Sequence, residues 1–138
     1  MPTTVFISWS GQRSGKVAQA LKQWLETFFG GPKHLEIWLS LDRPTASLWN
    51  RELAQILAKT DYGILCLTQE NLEKPWILFE AGAISKAFNE ARVYPYLIGD
   101  IDVSSLDKSP LNQFQADPAT KTGTQRLVSG HWFFPIAQ

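Results

Sequence analysis

The segment Tyr62-Gly63-Ile64-Leu65-Cys66-Leu67 limits the possible folds more than any other stretch of the chain. It is nearly all apolar, whereas a strand with one wet face alternates apolar and polar residues. Such a run predicts a strand covered on both faces, which is the situation of a strand inside a parallel sheet. The flanking sequence supports this. Val5-Phe6-Ile7-Ser8-Trp9 is a β-rich run, and Val17, Leu21, Trp24, Leu25 and Phe28 then recur at helical spacing. A helix over Lys16 to Phe29 is expected, ended by Gly30-Gly31-Pro32. Leu35 to Leu39 reads as a second strand, and Ser40 to Leu48 as a loop. From about Trp49 the sequence predicts a second helix, broken at Thr60-Asp61.

Beyond the apolar strand, Thr68 to Lys74 is a polar connection, and Pro75 suits the first position of a helix that runs to about Ala91. Val93 to Ile98 is a fourth strand, whose Pro95 suggests a place towards the sheet edge. Gly99 to Pro110 reads as a loop, Pro110 to Gln115 as a turn of helix leading to a short edge strand, and Thr120 to Val128 as a last helix. Strands alternating with helices mean right-handed βαβ units and a parallel sheet flanked by helices. Ligands of such sheets bind at the carboxyl ends of the strands, at the topological switch point. The loops there are Ser8–Gly15, Leu39–Leu48 and Thr68–Trp76.

With 138 residues, 44% of them hydrophobic and 19% charged, the chain suits one globular domain, taken as residues 1–138. Lys plus Arg equals Asp plus Glu, so no global field attracts nucleic acid or a membrane surface. No basic stripe with interleaved aromatics appears, and no apolar run approaches the roughly 20 residues of a membrane helix. The lone Cys66 allows no internal disulfide and reads as a buried structural thiol. The expected setting is the cytoplasm. His34 and His131 have no Cys or His at metal spacing, so no metal site is expected.

Gly11-Gln12-Arg13-Ser14-Gly15-Lys16-Val17 looks like a phosphate loop, but the spacing is one residue short and Val17 stands where a magnesium-binding hydroxyl belongs. Two readings remain: a small-residue loop that meets a phosphate ahead of a helix, or an ordinary solvated connection. Within Pro75 to Ser85, Glu80 is the only ionisable residue. Trp76 lies four residues before it, so the two share a helix face. Spacing alone favours a solvated glutamate over a packed Trp76. The apolar Ile77, Leu78, Phe79, Ala81 and Ala83 leave little polar face for such a glutamate, and a carboxylate in that setting is a candidate for chemistry.

At these residues the sequence resembles the bacterial branch of the Toll/interleukin-1 receptor (TIR) domain family. The likeness covers about residues 4 to 115 and rests on Val5 to Ser10, on Trp38 with Asp42, on Asp61 to Thr68, and on Asn71-Leu72-Glu73-Lys74-Pro75-Trp76 running into Leu78 to Ala83. It implies a flavodoxin-like α/β sandwich with a five-stranded parallel sheet. It also implies cleavage of NAD+ to nicotinamide and ADP-ribose or a cyclised ADP-ribose, with Glu80 as the catalytic residue. NAD+ is then a substrate, with no resident cofactor. Bacterial members commonly serve in anti-phage defence, and others are adaptors acting through contacts between TIR domains, in which the Ser40–Leu48 loop takes part. That loop departs from the family, with Pro44 and no glycine. Segment 116–138 lies beyond the likeness, and a sensor domain or partner protein is expected to act with the chain. Trp76 would wall the ribose or stack on a base, Phe6, Trp9 and Trp38 would line a nicotinamide pocket, and Ser8, Ser10 and Arg13 would hold phosphates. Asp42 joins this substrate-binding set. Besides the adaptor, a nucleoside deoxyribosyltransferase-like enzyme is an alternative that uses a lone glutamate on a smaller substrate.

Overall fold

The computed structural model describes residues 3–30, 35–39, 60–72, 93–107, 110–113 and 116–129. They form strands β1 (Thr3–Ser8), β2 (Leu35–Leu39), β3 (Tyr62–Leu67), β4 (Val93–Leu97) and β5 (Asp117–Pro118). Helix α1 spans Gln12–Phe28 and α2 spans Lys121–Ser129, with single 3-10 turns at Val103–Leu106 and Pro110–Gln113. The strands make one sheet in the order β2-β1-β3-β4-β5, and every neighbouring pair is parallel. This is the flavodoxin-like α/β arrangement that the sequence predicts.

Alternation along the strands sorts the core into two faces. Val5, Ile7, Leu35, Ile37, Ile64, Cys66, Tyr94 and Tyr96 pack with Ala18, Leu21 and Leu25 of α1 and with Leu127 and Val128 of α2. Phe6, Leu65 and Leu97 point the other way and are no more than 1% exposed. The central strands are thus buried on both faces. At the β2 edge one face is open, with Glu36 and Trp38 exposed.

Helix α1 begins at Gln12, four residues before the expected start. Gly11 forms the N-cap at a φ of 89°, and Ser14 and Gly15 are buried in the first turn. The small residues that look like a loop in sequence are therefore where the helix packs closest. The buried stripe is Ser14, Ala18, Leu21 and Leu25. Trp24 and Phe28 lie at its margin, exposed and stacked on each other at 5.1 Å.

Pro95 misleads about β4, which lies between β3 and β5 rather than at an edge. The proline is tolerated because β5 is only two residues long and pairs with Tyr96 and Leu97, beyond Pro95. The short β5 and α2 are fastened by side chains. Asp117 accepts from Tyr94 Oη and, at 2.9 Å, from Arg126 Nε, while Tyr96 Oη and Thr124 Oγ1 share a hydrogen bond of 2.6 Å. Among the described residues no helix is long and apolar enough to cross a membrane.

Candidate functional site

The chain leaves β1 towards β2 on one side and returns to β3 on the other, so the switch point lies at the carboxyl ends of β1 and β3. Four of the expected site residues, Ser8, Trp9, Ser10 and Arg13, come together there. Phe6 is buried beneath them in β1, and Trp38 pairs with it in register on β2, 42% exposed. Asp42, Trp76 and Glu80 lie outside the described residues.

Around the switch point, buried polar side chains bind main-chain atoms. Ser14 Oγ donates to the Cys66 carbonyl at 2.8 Å and accepts from the Ser10 amide at 3.2 Å. Asn71 Nδ2 donates to the Ser10 carbonyl at 3.0 Å and to the Cys66 carbonyl at 3.1 Å. Asn71 Oδ1 accepts from the Thr68 amide at 2.8 Å, and Thr68 Oγ1 accepts from the Asn71 amide at 3.2 Å. This reciprocal pair over three residues has the form of a capping box and closes the turn after β3. Ser14, Thr68 and Asn71 are all nearly inaccessible. None of them stood out as a site residue in sequence, although the Thr68-x-x-Asn71 spacing is a local signal that a search for side-chain turns detects.

Gly15 lies under the Trp9 ring. A Cβ at that position would come within 2.7 Å of Trp9 Cε3 and Cζ3. Close helix packing thus accounts for Gly15 in the phosphate-loop-like segment. Ser8 Oγ, fully buried, has no hydrogen-bond partner among the described residues. Such a hydroxyl costs free energy unless another group meets it.

Arg13 reaches across to Glu70 at 3.0 Å, and its guanidinium lies over Gly99, where a Cβ would stand 3.2 Å from it. The loops after β3 and β4 therefore converge on a cation in the first turn of α1. The Glu70 carboxyl is held below the usual range, first by a hydrogen bond to its own backbone N–H, then by the Thr68 hydroxyl, with Arg13 adding to both. The Cys66 thiol, fully buried, is pushed up to about 12 by desolvation, so it stays protonated and unreactive. Among the described residues no cluster of His, Cys, Asp or Glu could hold a metal ion.

A parallel sheet of this order, with its buried loop network at the β1–β3 switch point, defines a doubly wound, flavodoxin-like α/β domain. The sequence matches the TIR domain family over residues 5–128, and the chain belongs to that family. The matched span takes in β5 and α2. No curated protein matches the chain.

Proposed function

We propose that this TIR domain cleaves the nicotinamide–ribose bond of NAD+, with Glu80 as the catalytic carboxylate. The observation that carries the reading is the sequence Trp76-x-x-x-Glu80, a family signature, which follows in sequence the connection leaving β3, the strand on one side of the switch point. A lone carboxylate is chemically sufficient for this substrate. Glycosidases that expel an oxygen need a second, protonated carboxyl. Nicotinamide is bound as a cation and leaves neutral, taking the electron pair of the breaking C–N bond, so no general acid is required. The remaining task is to stabilise the oxocarbenium-like ribose, which an ionised and partly desolvated Glu80 does by charge and by accepting from a ribose hydroxyl. Water, or a hydroxyl or ring nitrogen of the substrate itself, then adds to the anomeric carbon and any proton it releases passes to Glu80. Hydrolysis gives ADP-ribose, and internal attack gives a cyclic isomer. A role in bacterial anti-phage defence, in the cytoplasm and with self-association through TIR contacts, fits this chemistry.

A second reading, the non-catalytic adaptor, has one observation in its favour. Trp38 is exposed on edge strand β2, which precedes in sequence the segment Ser40–Leu48 that the family resemblance links to TIR contacts. Incubating the concentrated protein with NAD+ and identifying the products separates the two. Consumption of NAD+ that Glu80→Ala abolishes, with melting behaviour unchanged, is the expected result. A fully active Glu80→Ala variant ends the catalytic assignment, and intact NAD+ at every concentration leaves the adaptor.

A further inference from the structure

The backbone ladder between β1 and β3 ends at Ser8 and Leu65. Past that point parallel strands part, and their loops set the shape of whatever crevice opens. Here the junction continues through side chains. Ser14 and Asn71, 1% and 2% exposed, converge on Ser10 from opposite sides, one taking its amide and the other its carbonyl. Both also donate to the Cys66 carbonyl at the end of β3. These bonds meet main-chain groups that lie past the last β1–β3 ladder pair. The ladder already joins the strands, and Gly11 supplies the turn with its positive φ. What the clamp adds is a Ser10 peptide fixed in place beside Trp9 and Arg13. Asn71 further opens the sequence that runs into Pro75–Ser85, so one side chain ties both loops of the switch point.

We propose that Ser14 and Asn71 are positioning residues: they preset the Ser10 segment for the phosphates of the dinucleotide without touching the substrate. The inference rests on the NAD+-cleaving reading above. A loop set in advance pays no ordering cost when ligand binds, so its loosening weakens binding and leaves the bond-breaking step alone.

The test uses the full chain with Ser14→Ala, Ser14→Thr and Asn71→Asp. The first removes the shared hydroxyl at little steric cost, the second restores one, and the third keeps the acceptor for Thr68 but loses both donations. Expected for Ser14→Ala are amide exchange at Ser10 faster by about tenfold, ADP-ribose binding weaker by about tenfold, and a KM for NAD+ raised to match, with kcat within about twofold. Ser14→Thr should recover all three, and Asn71→Asp should follow Ser14→Ala if it folds. Unchanged exchange at Ser10 in Ser14→Ala overturns the clamp. Faster exchange with unchanged ADP-ribose affinity overturns its role in positioning. A wild-type chain that leaves NAD+ intact but binds ADP-ribose, more weakly in Ser14→Ala, refutes the reaction and supports the clamp. A wild-type chain that binds no ADP-ribose overturns both.

Discussion

At the β1–β3 junction the side chains of Ser14, Thr68 and Asn71 bond to main-chain atoms, whereas at the β4–β5 edge Tyr94, Asp117 and Arg126 bond to one another. The second arrangement pins elements. A strand of two residues has almost no ladder of its own, and Asp117 supplies the attachment that β5 and α2 otherwise lack. The first arrangement shapes loops. Its bonds run to carbonyls and amides that no secondary structure satisfies, so they specify where the backbone lies beyond the strand ends. Stability should therefore depend mostly on the edge, and function mostly on the junction.

The largest stability effect is expected from Asp117→Ala. It removes the acceptor of Tyr94 Oη and of Arg126 Nε from a site that is 6% exposed. A loss of about 2 kcal/mol should appear in urea unfolding, because the buried Tyr94 hydroxyl loses its acceptor and the half-exposed Arg126 its ion-pair partner. Turnover of NAD+ per folded molecule should stay at the wild-type value. Equal losses of turnover and stability would erase the distinction between the two clusters.

Gly15→Ala comes next and works from the other side. Its Cβ would stand 2.7 Å from two carbons of the Trp9 ring, so the ring has to move. Overpacking of this kind costs about 1 to 2 kcal/mol. The displaced Trp9 flanks Ser10, and the KM for NAD+ should rise by more than the stability loss accounts for. A destabilised variant with an unchanged KM would place Trp9 in the packing alone.

The sheet was legible in sequence because its signals are local. The two-face apolar run at Tyr62–Leu67 and the strand at Leu35–Leu39 stand where they are expected, as does the final helix. Pro95 misled because a proline reports only that some neighbour is missing, and a two-residue β5 is nearly a missing neighbour. The start of α1 was missed because small residues at a helix surface and in a loop look alike until the partner, here Trp9 over Gly15, is known. The site divides in the same way. Ser8, Trp9, Ser10 and Arg13 could be named from their place after a strand. The Thr68–Asn71 turn is local, but the bonds from Ser14 to Cys66 and from Asn71 to Ser10, which join the two loops, span 52 and 61 residues and leave no mark in the sequence. Trp76 and Glu80 rest on sequence alone.

The smallest effect is expected where the two clusters are most easily confused. The Arg13–Glu70 pair also bridges the start of α1 and the loop after β3, but its side chains are 47% and 69% exposed. Water and salt screen such a pair, and holding two long side chains together offsets most of the attraction. Glu70→Gln should leave the unfolding midpoint at neutral pH unchanged within error. Because the Glu70 carboxyl is depressed below its ordinary 4.5, any stability it adds is present above that pH and fades as pH falls through the folded value. Any gap between wild type and Glu70→Gln should accordingly close in acid. A clear gap at pH 7 that closes in acid would mean that this exposed bridge carries structural weight. Loop geometry at the switch point would then depend on charge as well as on the buried amide of Asn71.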